Sequence, residues 1–417
     1  ASAGKSMGQR AISQLLRRRF GFSAADEGGI VSNPDSLQSR ALKRLAPKKL
    51  FLLDGTPLGN YPRQILPLAC ATQGSATATQ PYSMRNGLYV EKRLVTSCNY
   101  AARGIDQFKD DFVVIDWASQ EFTDNLKDGA KREIPMIKNV PLFRQWAASF
   151  VQRRLRNEPE MQPYTGCEDP ERKTTKIKWD QSHFKHYLKV AVEYADWYIK
   201  HKADRKLEGK GSNLVAVLAR INAVIKAANN PHTTDDGMVG RYLPLTSKQN
   251  YAIDRMVELA KSGDKTILYA YSPAVLERFH VELKKRNVKS VLFTGKQNIK
   301  NRNAQLDSEF RFGDAPILLS SWVGQRGLNL EQANRVIMYS RHWSGDTEEQ
   351  AIARVIRPDQ TKQVQGEYLE LDGSIDEYMA QVVEWKIAAA DAGLDFGDAI
   401  TNAEEFMHMD NVLEAFC

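Results

Sequence analysis

Cysteine is scarce in this chain: Cys70, Cys98, Cys167 and Cys417 are the only four in 417 residues, and no two form a C-x-x-C pair. That spacing argues against a disulfide framework and against a zinc finger or ribbon, and it suits a reducing compartment. Long apolar runs are missing too. None approaches the roughly 18 residues that a membrane-crossing helix requires, so a soluble chain with no membrane partner is expected. No self-similarity at a period of roughly 20 to 50 residues is evident, which argues against a solenoid or propeller. Acidic residues are absent before Asp26, while Lys5, Arg10, Arg17, Arg18 and Arg19 are present. A transit peptide has this composition, and so does a helix laid on phosphates.

What is present is ordinary for a globular protein: 42% hydrophobic and 26% charged residues, in a chain long enough for two or three cores. The net charge of +7 is compatible with a polyanionic partner and equally with a slightly basic enzyme. Three textures follow one another. Residues 1–75 carry an α/β pattern, with "NPDSLQSRALKRLA" as a helix and "KLFLLDGTPLGN" as a strand entering a Gly/Pro turn. Residues 76–240 interleave aromatic and charged residues at helical spacing, as in "HFKHYLKVAVEYADWYIKHKAD", and predict a helical insertion. Residues 241–380 alternate again, with "TILYAY", "SVLFTG", "APILLS" and "RVIMYS" as strands between helices. That alternation predicts an α/β, doubly wound parallel sheet with ligands at the carboxyl ends of its strands. Residues 381–417 suit a helical tail.

Two stretches carry candidate chemistry. In "ILLSSWVGQRGLNL", Ser320 and Ser321 stand where a strand stops, and small hydroxyls beside exposed amides suit a phosphate oxygen. Gly324 and Gly327 let the backbone turn and approach a ligand; a plain glycine turn has the same letters. In "SGDTEEQAIARVIRPDQ", Asp346 and Glu349 resemble a capping box, and Pro358 stops the helix. Gln350, Arg354 and Arg357 then share one face. Two guanidinium groups near strand ends suit the terminal phosphates of a nucleotide, although a solvated helix also exposes arginines.

These two stretches in this order resemble motifs V and VI of the Swi/Snf family of superfamily 2 helicase-like DNA translocases, through both glycines, Trp343, Gln350 and both arginines. "KTILYAYSPAVLERF" is similar to motif IV, "LLDGTPLGN" to motif III, and "ADEGGIVSNPDSLQSRALKRL" to motif II and the helix after it. About residues 20 to 380 are covered. The resemblance implies RecA-like parallel-sheet lobes, the first one partial, with the helical insertion between them. It implies ATP and Mg2+ as cofactors, double-stranded DNA as partner and an intracellular, DNA-associated location.

Residue by residue, the resemblance implies that Asp26 holds Mg2+ and that Glu27 orients or deprotonates the attacking water, with Arg354 and Arg357 completing catalysis. Gly324, Gly327 and Gln350 would serve nucleotide binding, and Gly55, Thr56 and Pro57 would couple the nucleotide state to the DNA path. Thr294, Gly295, Ser320, Ser321, Trp322 and Arg326 would line a groove for the phosphate backbone. The acids and the arginines are expected to face each other across one crevice. Two positions depart from the pattern: Asp54 stands for the usual Thr, and Gly28-Gly29 replaces the usual Ala-His or Gly-His. The phosphate-binding loop is matched only by Gly4-Lys5-Ser6, which has no earlier glycine and no preceding strand, so the first half of lobe one is expected to lie outside this chain. Three readings stay open: a DNA-dependent ATPase that moves along duplex DNA, a catalytically silent DNA-binding or structural protein, and an RNA-directed relative.

Overall fold

The computed structural model describes residues 11–55, 57–58, 61–74, 77–85, 103–117, 131–155, 158–164, 169–207, 214–232, 242–325 and 327–394. Gly4, Lys5, Ser6, Thr56 and Arg326 lie outside them. The chain divides into two compact units, residues 1–116, 132–153 and 386–403 forming one, and 117–131, 154–385 and 404–417 the other.

In the first unit, α1 (Ile12–Leu15) leads to β1 (Phe22–Asp26), a tight turn at Gly28–Val31, α2 (Leu37–Leu45) and β2 (Lys49–Leu53). Ser36 caps α2 by accepting the Ser39 amide at 3.1 Å, and Ala46 ends it in the left-handed region at φ 44°. β1 and β2 are parallel, with Asp26 opposite Leu53, so the loops after both strands leave the same edge. Next come α3 (Ile65–Gln73), α4 (Ile105–Phe112), β3 (Val113–Trp117), which pairs with β4 (Lys131–Ile137), and α5 (Val140–Ala147). Their core is aromatic: Tyr82, Phe108, Phe112, Phe143 and Trp146 meet mostly edge to face, at centroid distances such as 5.2 Å for Tyr82 and Phe108. Such pairs add roughly 0.5–1.5 kcal/mol beyond their burial.

The second unit holds a six-stranded sheet, in which every strand pairing is parallel. In chain order its elements are β5 (Glu171–Ile177), α6 (Gln181–Leu207), α7 (Leu214–Asn229), α8 (Ser247–Lys261), β6 (Thr266–Tyr269), α9 (Pro273–Lys285), β7 (Ser290–Phe293) and α10 (Ile299–Gln305). They continue with β8 (Ile317–Ser320), β9 (Arg335–Met338), α11 (Gly345–Ala353), β10 (Gln365–Leu371) and α12 (Ile375–Leu394). Spatially the strands run β5-β10-β9-β6-β8-β7. The predicted α/β, doubly wound sheet is therefore present. The span expected as a helical insertion, 76–240, also contains β3, β4 and β5, and β5 joins this sheet as an edge strand beside β10. Its sequence, ERKTTKI, is polar because an edge strand needs few apolar side chains, which hides it from a hydrophobicity reading.

Alternation along each central strand separates two apolar layers. Leu268, Leu319, Ile337 and Leu369 face α6 to α9, while Ile267, Leu318, Val336 and Met338 face the side of Ala351, Ile352 and Val355 on and after α11. The register sets Tyr269 against both Ser320 and Met338, and Phe293 against Ser320. Four strands thus stop in line, and their loops emerge along one carboxyl edge.

Candidate functional site

The first unit contributes the paired acids. Asp26 is the last residue of β1 and is exposed, and its Oδ1 accepts the Glu27 amide at 3.0 Å. Glu27 sits at φ 55°, a left-handed conformation that a non-glycine residue adopts at a cost of roughly 1–2 kcal/mol. The Ile30 amide donates to the Glu27 carbonyl at 3.1 Å, and the Gly29 amide donates to the Asp54 carboxylate, just beyond β2. Gly28 is buried, and a β-carbon there would lie 2.7 Å from Leu52 Cβ, so the turn can press on β2 only with glycine. Gly55 is exposed and Pro57 half-buried in the bend after β2.

The second unit gathers most of the other expected residues at its carboxyl edge. Thr294, following β7, is buried; its amide donates to Gln297 Oε1 at 3.3 Å, and its carbonyl accepts from Arg302 Nη1 at 3.1 Å. Gly295 stands opposite Val323 of the turn at Trp322–Gln325. The Ser321 amide donates to the Phe293 carbonyl at 3.0 Å, tying the loops after β7 and β8 together. Gly324 has no room for a side chain: a β-carbon would lie 2.2 Å from Ser320 Oγ. Gly327 is left-handed at φ 70°.

Three residues expected to line a groove are more enclosed than that role suggests. Ser320 is 1% and Ser321 5% exposed, and the Ser320 hydroxyl donates to the Ser321 carbonyl at 2.8 Å. The Trp322 ring stacks on Tyr269 at 5.3 Å, meets His342 edge-on at 5.1 Å and belongs to the apolar layer beneath. Its ring packs; what faces outward at this edge is the backbone and the neighbouring Val323.

Gln350 lies on α11, and Arg354 caps its carboxyl end, accepting the Leu330 amide on its carbonyl at 3.0 Å. The helix expected to run to Pro358 ends at Ala353, so of the three residues expected on one helical face only Gln350 lies within it and Arg357 follows in the turn beyond; all three are half-buried. Arg357 Nε is sealed from solvent without a protein partner among the described residues. The Tyr269 hydroxyl, Ser321 Oγ and Trp322 Nε1 share that condition. Burial pushes the Tyr269 phenol up, and the charge of Arg354 pulls it back, which places that guanidinium within electrostatic reach of the end of β6.

Sequence reasoning passed over the groups that hold α11. Arg341, just after β9, is buried with its guanidinium on Glu348 of α11 (Nη2 to Oε2, 3.0 Å) and on Glu370 of β10 (Nη1 to Oε1, 3.2 Å), above the Tyr368 ring at 4.6 Å. The His342 amide donates to Glu348 Oε1 at 2.7 Å. Burial lowers the Arg341 guanidinium's affinity for its proton, but Glu348 more than restores it, and the net shift is upward; burial raises the Glu348 carboxyl despite Arg341. Ser344 offers α11 no side-chain cap, so this ion pair anchors the helix start. The available signal was a charged residue at the end of the apolar run "RVIMYS" and two glutamates inside the strand "QGEYLEL". Neither names its partner.

As for the cofactors, no group of three or more His, Cys, Asp or Glu side chains among the described residues could hold a metal. Mg2+ ordinarily uses one or two carboxylates, with phosphates and water supplying the rest, so the single exposed Asp26 fits that ion and not an all-protein cage. Among the described residues no helix is long and apolar enough to cross a membrane.

The family description "Helicase conserved C-terminal domain" matches residues 248–359, the span from α8 through the arginine helix. An uncharacterized ATP-dependent helicase of Mycoplasma genitalium is 28% identical over 202 residues, covering 48% of this chain and 19% of that protein. A DNA repair and recombination protein RAD54-like of Drosophila virilis is 24% identical over 430 residues, covering 96% of this chain and 49% of that protein. The chain therefore spans about half or less of these two relatives. Among solved structures, the Sulfolobus solfataricus SWI2/SNF2 ATPase core in complex with dsDNA aligns at a TM-score of 0.41 and 18% identity, covering 89% of this chain and 69% of that one. A helicase C-terminal match thus lies over the parallel sheet, and similarity to RAD54-like proteins runs along nearly the whole chain.

Proposed function

We propose that the protein hydrolyses ATP and uses the energy to move along double-stranded DNA. The observation that carries this reading is the turn at Trp322–Gln325 at the carboxyl edge of the six-stranded sheet, with α11 beside it and, past the end of that helix, an Arg357 Nε that has no protein partner among the described residues. Hydrolysis breaks the bond between the γ-phosphorus and the β,γ-bridging oxygen of ATP as a water oxygen attacks that phosphorus. Glu27 orients the water and takes its proton, and Arg354 and Arg357 offset charge on the phosphoryl oxygens. Asp26 would hold Mg2+, which when bound neutralises phosphate charge. The loops after Phe293 and Ser320 would meet the DNA backbone, contacts that position a duplex without reading its sequence.

The test is ATPase activity with and without duplex DNA, measured on this chain and on any longer natural form. Glu27→Gln and Arg357→Ala should each lower kcat by about 100-fold or more, since general-base and charge-stabilising groups are each worth roughly 10²–10⁴-fold. A second reading, a silent DNA-binding protein of the same fold, is favoured by the two departures at Gly29 and Asp54. It predicts duplex binding that weakens with salt and no hydrolysis in any form.

A further inference from the structure

Gly29 and Asp54 are the two positions at which this chain leaves the family pattern in motifs II and III, and in the structure they touch. The Gly29 amide donates to Asp54 Oδ2, and a β-carbon on residue 29 would lie 2.8 Å from that same oxygen. A side chain at 29 therefore displaces the carboxylate from the amide. The absence of a side chain at 29 lets the carboxylate approach the amide without shifting. Both residues are half-buried, at the ends of two strands whose register is fixed by the pairing of Asp26 with Leu53.

We propose that Asp54 and Gly29 are a matched pair: a carboxylate-to-backbone clasp that makes Asp54 a positioning residue for Glu27. The loop between them holds Glu27 in a left-handed conformation, which persists only when its surroundings over-determine it. Asp26 fixes the Glu27 amide from within the loop, and the Ile30 amide fixes the Glu27 carbonyl. Asp54 supplies the constraint from the neighbouring strand. Through it, any movement of the Gly55–Pro57 bend is felt at Glu27 without a histidine.

The reading of Glu27 as the water-orienting residue is assumed here, but the pairing itself can be tested without activity. Thermal unfolding of the full chain is compared for Gly29→His, Asp54→Thr and the double variant. Each single change should lower the unfolding midpoint by roughly 2–4 °C, and the double change should recover most of the loss. Additive losses would overturn the matched pair. Should the single variants fail to fold, selectively ¹⁵N-labelled glycine decides it: the Gly29 amide of the unaltered chain should be protected from hydrogen exchange, and exchange at the rate of an open amide refutes the clasp. In whichever natural form hydrolyses ATP, Asp54→Thr should lower kcat about tenfold or more at unchanged KM for ATP, with recovery in the double variant. A rise in KM alone would assign Asp54 to binding and overturn the positioning role. Absence of hydrolysis in every form would defeat the functional reading and leave the unfolding result to judge the clasp.

Discussion

Removing the Arg341 guanidinium while keeping its volume, as in Arg341→Met, would leave Glu348 and Glu370 facing each other. Arg341 is 5% exposed, Glu348 1% and Glu370 4%, so neither carboxylate can turn to water for solvation. Breaking a buried ion pair on one side costs roughly 3–5 kcal/mol, against a total of about 5–15 kcal/mol for a domain. At a urea dependence of roughly 3 kcal/mol per molar, the upper end for small proteins, the midpoint should fall by about 1–1.7 M. The deficit should shrink in acid. Burial already raises the carboxyls of Glu348 and Glu370, and loss of the cation raises them further. Groups with folded pKa above the unfolded value stabilise the fold as they protonate, so the variant recovers relative to the parent as pH falls below neutrality. Changing all three residues to apolar ones of similar volume should cost far less than the single change. Urea unfolding at neutral and mildly acid pH, followed by tryptophan emission, measures each case. A loss below about 1 kcal/mol, or one that does not vary with pH, would refute the claim that this cation anchors α11.

Other expectations follow from the same geometry. His183 is buried against the Ala227 carbonyl, with its pKa lowered to about 4 by burial in the first place; its contribution to stability is complete above the unfolded value of 6.5 and is lost as pH falls toward 4. The shift of about 2.5 units is worth roughly 3 kcal/mol, which His183→Gln should remove from the acid limb of the unfolding profile. Tyr269→Phe deletes a buried hydroxyl without a protein partner among the described residues, so it should leave thermal stability unchanged or slightly raised; a fall in DNA affinity in salt titrations would identify the hydroxyl as a ligand group. Gly324→Ala puts a β-carbon on Ser320 Oγ and should weaken duplex binding by displacing the turn, whereas Gly295→Ala, with its nearest neighbour at 3.5 Å, should not.

The central strands were legible because the apolar runs TILY, SVLF, ILLS and RVIM are bounded by helices of recognisable period, and a parallel strand buried on both faces must read that way. The glycines at 324 and 327 were legible as a turn, whereas the helical spacing that put Arg354 and Arg357 on one face does not hold, because the helix stops at Ala353. The edge strand β5 was not, since its polar sequence resembles a loop and its identity depends on β10 lying beside it. Nor could sequence tell that Trp322 would stack inward on Tyr269: an indole at a strand end serves a groove or a core equally well, and the choice falls to the neighbouring strand.

The sequence by itself determined the central strands, the helices between them and the carboxyl-edge position of the loops that follow, because periodicity is a local property of the chain. Only the tertiary structure decided which charges meet. Arg341 with Glu348 and Glu370, and Asp54 with Gly29, are brought together by strand order and register, and electrostatic pairing acts through distance in space, which residue numbers do not record.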